Sequence, residues 1–598
     1  AFARVYYEFP FSDLASDADA ALDRLGNRAP IAVGTNRYQL ELGRAEQLFA
    51  TKRYAQARAA FERLEGAAKG DDHELISLRL AECAYLQRRV REARDGVKPY
   101  IDHARRQGEA LFFYAAALRD LDQADAYVAV VRRVVEEFPT ETWADEALNG
   151  LATFYIRQGD DDKADATFRE MYEKFPLGRN AERAAWKIGW QSYRNRQYVD
   201  TVRAFESAAA AFPRSDFRPA WLYWAARAHE ALGEQELAEA RFRLAATDYR
   251  NSYYGRLAVS RLREAGPHAR LVADVPSSGT AASPDAADQL AALPLPSNHH
   301  TIRALLRLGL YDQAIDELRY AQKAWGESPP IQATLAWIYA QQGRAERGER
   351  QFTLYRTAIN TMKRAYPQFL ASDGASLPPD LMRVIFPIGY WDLIQKHAAG
   401  YGLDPYLVAA LVAQESTFVP DIVSSARAVG LMQLEAATAR QYARKLGLRY
   451  SPRLLTEPES SIRIGMAKLA DDLSRFGDLH LVLASYNAGP SAVRRWMNDR
   501  AGLPRDEFID DIPYPETQGY VKKILGTAED YRRLYGPEAA AAEAVAVAPA
   551  AATRTPRAAR PGSAVRRPTP KHRAPRRPSA SAGRRKPAVV RTRPRKAV

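Results

Sequence analysis

The chain has 598 residues, too many for one hydrophobic core, so several domains are expected. Its 46% hydrophobic and 26% charged residues fall in the globular range, and no apolar run approaches the roughly 18 residues of a membrane-spanning helix. The net charge of +14 belongs to one end: Ala544 to Val598 holds sixteen Lys and Arg and no acid, which leaves about −2 on everything before it. A lone cysteine, Cys83, excludes an internal disulfide and decides little about compartment. The chain opens on Ala1, as a processed or trimmed chain does. No secretory leader is visible, which carries no weight against export.

The first feature in chain order is an internal repeat. Phe138-Pro139, Phe175-Pro176 and Phe212-Pro213 recur every 37 residues, with Tyr249 at the next step. Val131, Phe168, Phe205 and Phe242 stand seven positions before them, two helical turns back on the same face. Proline then stops each helix. Gly159 and Gly233 mark turns between paired helices, with Arg196 between them. Residues 1–265 are therefore expected to form a tetratricopeptide-type array of helical hairpins. Such hairpins bury their apolar faces against neighbours and build a curved solenoid, which offers a surface for a protein partner or a polymer.

Residues 266–298, rich in Pro, Ala and Ser, read as a linker. Helical periodicity resumes in TIRALLRLGLYDQAIDEL and IQATLAWIYAQQG, so 299–385 is expected to be a helical linker domain. Residues 537–598 lack the apolar content for a core and are expected to be a disordered basic tail.

The segment from Asp404 has the marks of a helix start, with Asp404 as N-cap and Pro405 at the first helical position. Leu407, Leu411 and Glu415 follow at intervals of four, so Glu415 shares a face with two leucines. A carboxyl against apolar neighbours has its charged form disfavoured and its pKa raised, as a general acid near neutral pH requires. Downstream lie three polar and glycine-bearing blocks, SSARAVGLMQL, ASYNAGP and IPYPETQGYV. Their Gln, Asn and Tyr residues suit a sugar's hydroxyls, amides and apolar ring faces, while Gly430 and Gly489 permit close backbone approach.

AQESTF around Glu415 and these three blocks, in this order and within about a hundred residues, resemble the soluble lytic murein transglycosylases, relatives of goose-type lysozyme. YWAARAHEALG at 223–233 and SYYG at 252–255 extend the resemblance backward over most of residues 40–536. It implies an all-α chain: a superhelical ring of repeats, a helical linker domain and, at 386–536, an α-rich lysozyme-like domain. It implies that Glu415 is the catalytic acid and that Ser424 orients it or the substrate's acetamido group. Gly430, Leu431, Met432 and Gln433 then belong to the substrate groove, with Tyr486 beside the acid and Asn487 in the groove. Glu516 is the second, substrate-binding carboxylate, and Tyr520 lies in the closing helix. For Met432 and Tyr520, simple packing is the competing reading. Three positions depart from the family pattern: Arg427 stands where glycine is usual, Glu435-Ala436-Ala437 replaces Met-Pro-Gly, and Gln518 replaces Arg.

The implied reaction cuts the β-1,4 bond between N-acetylmuramic acid and N-acetylglucosamine of peptidoglycan without water. One glutamate acts as acid and then base, and leaves a 1,6-anhydro end. Family membership implies a bacterial periplasmic location. No cofactor is expected, since the sequence has no HExxH, cysteine cluster or Walker-type loop. The competing readings are a hydrolytic muramidase in which Asp421, Glu435 or Glu516 helps a water, and a non-catalytic glycan-binding scaffold. The basic tail suits an anionic wall polymer or a membrane surface. With no aromatics after Tyr535, specific nucleic-acid binding is not expected.

Overall fold

The structure is a computed structural model that describes residues 1–25, 31–264, 296–371, 374, 377–537 and 539. Most of the expected 266–298 linker and nearly all of the 537–598 tail therefore lie outside the described residues. Those that are described form one compact unit, which is all-α. Its only β-pairing among the described residues is a pair of isolated bridges, Val423 with Val429 and Val429 with Leu434.

Two short helices, α1 (Phe2–Glu8) and α2 (Ala15–Arg24), precede six hairpins. These are α3 (Asn36–Ala50) with α4 (Tyr54–Glu65), α5 (Asp71–Leu86) with α6 (Val90–Val97), and α7 (Gln107–Asp120) with α8 (Ala124–Glu137). They continue through α9 (Thr142–Gln158) with α10 (Asp161–Lys174), α11 (Ala181–Arg194) with α12 (Tyr198–Ala211), and α13 (Arg218–Leu232) with α14 (Gln235–Asp248). The single helix α15 (Tyr253–Glu264) follows. The Phe-Pro repeat has a clear physical basis. Phe138, Phe175, Phe212 and Tyr249 are the C-caps of α8, α10, α12 and α14, all with φ between −122° and −137°. Val131, Phe168, Phe205 and Phe242 are buried between hairpins.

The turn inside each hairpin is more regular than its sequence. Lys52, Arg88, Asp122, Gly159, Arg196 and Gly233 occupy this turn, all with φ between +58° and +80°. In every case the next residue donates its N–H to the carbonyl five residues back, from Arg53 to Leu48 at the first turn through Glu234 to His229 at the last. This is the Schellman closure of a helix C-terminus. Four of the six positions are not glycine, and each takes the left-handed conformation at a cost of about 1–2 kcal/mol because the turn satisfies helix-end carbonyls. The array thus begins upstream of the first Phe-Pro pair.

A second group comprises α16 (His299–Arg307), α17 (Tyr311–Trp325), α18 (Pro329–Ala345) and α19 (Gly348–Ala365), with Gly309 in the left-handed turn between the first two. Residues 296–298 lead into α16, with Asn298 as its N-cap donating from Nδ2 to Glu317. The short α20 (Pro379–Ile385) leads to the C-terminal domain, built from α21 (Trp391–Tyr401), α22 (Pro405–Ser416), α23 (Ala436–Lys445), α24 (Pro458–Phe476), α25 (Leu479–Ala488), α26 (Pro490–Asp499), α27 (Arg505–Asp510) and α28 (Pro515–Tyr535). Helix α22 is the centre of this domain: Leu407 to Val412 are all buried, and the helix packs along α28.

The solenoid's inner helices hold the C-terminal domain through a polar seam. Asp506, Asp510 and Asp511, buried around α27, face an aromatic and cationic bank on α11, α13 and α15. Tyr223 donates to Asp506 at 2.6 Å, Trp224 to Asp510 at 2.9 Å, Tyr254 to Asp510 at 2.8 Å and Trp190 to Asp511 at 3.2 Å. Arg227 pairs with Asp506, Arg194 with Asp511 at 3.2 Å, and Lys522 with Asp510. Buried carboxylates are tolerated only when charges and donors surround them, and here Lys522 and Arg500 of their own domain are joined by donors from a domain some 280 residues earlier in the chain. A stretch of the solenoid surface that its repeats offer to a partner is occupied by the chain's own domain.

Candidate active site

Asp404 caps α22 as its sequence implies: its side chain accepts from the Tyr406 N–H at 3.0 Å, and Pro405 occupies the first turn. The other end of the helix is unusual. Thr417 and Phe418 both take positive φ, +50° and +60°, immediately after Glu415 and Ser416. Arg427 at +63° and Gln433 at +44° lie in the loop packed beside them. Non-glycine residues held in this region cost of order 1–3 kcal/mol each, and such strain gathers where a site must be shaped. Ser416 ties the two segments together, its Oγ donating to the Leu431 carbonyl at 2.9 Å.

Glu415 projects from this strained end. Tyr520 of α28, itself buried, donates its hydroxyl to Glu415 Oε1 at 2.5 Å. Burial pushes the Glu415 carboxyl from its ordinary 4.5 up to about 7. The Tyr520 hydrogen bond and the Lys468 charge pull the other way, and the Glu516 charge adds to the rise. A carboxyl with this pKa holds a proton near neutral pH and releases it to a basic oxygen, as general acid catalysis demands. Burial also drives the phenols of Tyr486 and Tyr520 well above their ordinary range, so both remain hydrogen-bond donors.

The loop from Asp421 to Leu434 is the wall beside this carboxyl. Ser424 closes a tight turn: its Oγ accepts from the Ala428 N–H at 3.0 Å, and its own N–H donates to the Ala428 carbonyl at 2.9 Å. Arg427 sits inside that turn at positive φ, which gives a physical reason for glycine at this position in the family pattern. Gly430 has φ +88°, and a Cβ there would lie 2.0 Å from the Leu455 carbonyl oxygen, so no other residue fits without moving backbone. Gln433 donates its side-chain amide to the carbonyls of Ile422 and Gly430, at 3.2 and 2.9 Å.

Leu431 and Met432, expected in the groove, are both 0% exposed. Their side chains present no surface to a ligand; Met432 fills the space above Gly465, where a Cβ would strike its sulfur at 2.3 Å. Met432 contributes its backbone instead: Tyr486 donates to its carbonyl at 2.8 Å. Asn487 is exposed, and its Oδ1 accepts from Thr517 at 2.5 Å. Glu516 is exposed at the start of α28, close enough for its charge to act on Glu415. Gln518 donates to the Asp510 carbonyl, which ties α28 to α27. Glu435 is exposed at the start of α23 and makes no side-chain cap. Asp421 is committed elsewhere, accepting from the Gly348 N–H at 3.0 Å in the linker domain.

Lys468 is the member that sequence reasoning missed. Its ammonium lies 3.9 Å from the centre of the Tyr486 ring, pairs with Asp472 at 3.0 Å and acts on Glu415. Burial lowers its pKa. The signal was present in the spacing: Ser461, Gly465, Lys468 and Asp472 form one stripe of α24, small residues at one end and a charged pair at the other. Gly430 and Met432 press on the small end, and Glu415 senses the charged end.

Comparison with known proteins places this geometry among relatives. Residues 392–509 match the Transglycosylase SLT domain, and 146–177 match a tetratricopeptide repeat. The soluble lytic murein transglycosylase of Escherichia coli K12 is 35% identical over 155 residues, 25% of this chain and 24% of the relative. That of Salmonella typhimurium is 35% identical over 159 residues, 26% of this chain and 25% of the relative, so the matched segment spans about a quarter of these proteins. An endo-type membrane-bound lytic murein transglycosylase A of Salmonella enteritidis is 33% identical over 153 residues, 22% of this chain but 75% of the relative. Among solved structures, lytic transglycosylase Slt of Pseudomonas aeruginosa, an inactive variant with glutamine in place of a glutamate, shares the fold. Its TM-score is 0.56 at 18% identity, covering 90% of this chain and 87% of that one.

Proposed function

Since the chain belongs to the lytic murein transglycosylases, we propose that it cleaves peptidoglycan glycan strands between N-acetylmuramic acid and N-acetylglucosamine, with Glu415 as acid and then base. The observation that carries this reading is the half-buried carboxyl of Glu415, gripped by Tyr520 and raised by burial to a pKa of about 7.

Glu415 gives its proton to the glycosidic oxygen, and the bond to C1 of the muramoyl residue breaks. The muramoyl acetamido group stabilises the cation that forms. Glu415, now a carboxylate, is held by the Tyr520 hydroxyl and faces the Lys468 charge, both of which favour the ionised form. It then removes the proton from the C6 hydroxyl, whose oxygen closes on C1 to give the 1,6-anhydro end. The acid's pKa thus has opposing influences for its two roles: burial loads the proton, and Tyr520 with Lys468 stabilise its loss. Glu516, whose charge acts on this carboxyl, and Asn487, which accepts from the adjoining Thr517, are both exposed and are proposed to meet the sugar's polar groups, while Ser424, Gly430, Leu431, Met432 and Gln433 build the wall.

A hydrolytic course needs a second carboxylate to activate water. Asp421 is held by Gly348, and Glu516 is the carboxylate whose charge acts on Glu415. This arrangement favours ring closure over hydrolysis by Asp421 and leaves Glu516→Gln as the variant that separates the two courses. Products of digested sacculi are read by mass, the anhydro product being lighter than the hydrolytic one by one water. Anhydro ends from the parent and from Glu516→Gln, with none from Glu415→Gln, are expected. Reducing ends alone would overturn the ring-closing mechanism, and undiminished cleavage by Glu415→Gln would overturn the assignment of the acid. Acting on peptidoglycan places the protein outside the cytoplasmic membrane, and none of its described helices is long and apolar enough to cross one.

A further inference from the structure

Behind the α22 helix lies a cavity of about 90 Å³, between α19 of the linker domain and the α22 and α28 helices. One water needs roughly 10–15 Å³ of such space, so the cavity has room for a small molecule. Neither Glu415 nor Tyr486, Glu516 or Tyr520 lines it. It opens beside a recess that shares Asn360 and Lys363 with it and adds Arg364.

Its polar lining is one-sided. Arg356 and Lys363 come from α19 and Lys523 from α28. Among the described residues, none of these three nor Arg364 forms an ion pair with a carboxylate, whereas the neighbouring cations Arg256 and Arg533 both pair with Asp530. Lys363 is half-buried, and burial together with the charges of Lys523 and Arg356 lowers its pKa to about 8. The one acid that acts on it, Asp530, is already held by Arg256 at 2.8 Å and Arg533 at 3.4 Å. Cations brought together at a cavity without a counter-charge are the mark of an anion site. A second, independent sign points the same way: Gln414, which also lines the cavity, has its side-chain carbonyl oxygen buried without a hydrogen-bond partner. A bare anion leaves that acceptor unsatisfied, whereas an anion bearing its own N–H or O–H completes it.

We propose that this cavity binds a small oxyanion that carries a hydrogen-bond donor, with Lys363, Lys523 and Arg356 on its charge and Gln414 on its donor. Hydrogen phosphate and a peptide-like carboxylate flanked by an amide N–H share this chemistry. Occupancy joins the linker domain to the catalytic domain on the far side of α22 from the acid, because α19 and α28 both supply cations.

The test is calorimetric titration and thermal denaturation of the full chain with inorganic phosphate and with N-acetylglycine, each against chloride at equal ionic strength. Saturable millimolar binding of either probe is expected. The stronger of the two identifies the source, phosphate or a carboxylate terminus. Lys363→Met is expected to weaken binding at least tenfold, and the exposed Lys523→Ser to do so several-fold without disturbing the fold. Gln414→Leu is expected to remove the preference of phosphate over sulfate, which is fully ionised and has no donor. Absence of saturable binding beyond chloride, or an undiminished response in a folded Lys523→Ser variant, refutes the site.

Discussion

Replacing Glu415 by glutamine tests the electrostatics of the site without any substrate. The amide is nearly isosteric and keeps an oxygen for the Tyr520 hydroxyl, so packing and the 2.5 Å hydrogen bond are retained. In the folded protein the carboxyl ionises at about 7, against an ordinary value of 4.5. Below pH 4.5 it is neutral in both the folded and the unfolded chain, and the glutamine variant has the parent's stability. Between 4.5 and 7 the unfolded chain ionises while the folded one does not, so the parent loses stability as pH rises. Each pH unit over that window is about 1.4 kcal/mol, and the loss levels off at about 3 kcal/mol above pH 7. Glu415→Gln escapes this loss. Its advantage over the parent is therefore expected to be near zero at pH 4, to grow through pH 5–7 and to plateau at pH 8. Thermal or urea unfolding of both proteins in parallel, followed by an optical probe of the C-terminal domain, measures the difference and cancels every titration they share. A stability difference that is flat with pH, or that favours the parent at pH 8, refutes the claim that burial governs this carboxyl.

The same electrostatics predict a kinetic shift in Tyr520→Phe. Removing a hydrogen bond that favours the carboxylate raises the Glu415 pKa, by about one unit if the bond is worth about 1.5 kcal/mol, so the alkaline limb of the pH–rate profile moves up while the maximal rate falls. A limb that stays or moves to lower pH contradicts this. Gly430→Ala forces a Cβ to within 2.0 Å of the Leu455 carbonyl at φ +88°; loss of at least 3 kcal/mol of stability is expected, and a variant that melts with the parent contradicts the geometry. At the domain seam, Asp506→Ala strands the Tyr223 hydroxyl in a buried interface and leaves Arg227 with Glu230 at 3.1 Å and Glu507 at 3.2 Å. A loss of about 1–3 kcal/mol is expected, with faster proteolysis between the solenoid and the C-terminal domain; unchanged protease resistance argues against the seam.

Local features are legible in the sequence. The Phe-Pro period announced the helical hairpins, because a helix-ending proline and two buried aromatic or aliphatic turns are set by neighbours within one repeat. The Asp404-Pro405 start and the spacing of Leu407, Leu411 and Glu415 announced the buried acid for the same reason: a helix converts spacing directly into a shared face. The earlier hairpins fall inside the expected 1–265 array, but their turns carry no sequence marker because Lys52, Arg88 and Asp122 fill the left-handed position that glycine advertises at 159 and 233.

Other properties exist only once distant segments meet. That Met432 is core while its carbonyl anchors Tyr486 depends on Gly465, more than thirty residues away in sequence, leaving room for a sulfur. Lys468 becomes part of the site only because α24 turns its charged stripe toward α22 and α25. Asp506, Asp510 and Asp511 become interface residues only where Tyr223, Trp224 and Tyr254 surround them. The sequence by itself determined the helices, their repeat and the residue that carries the acid, since these follow from short-range spacing. The tertiary structure alone decided how far burial raises that acid's pKa and which partners oppose it, because desolvation and Coulomb interaction depend on distances through space.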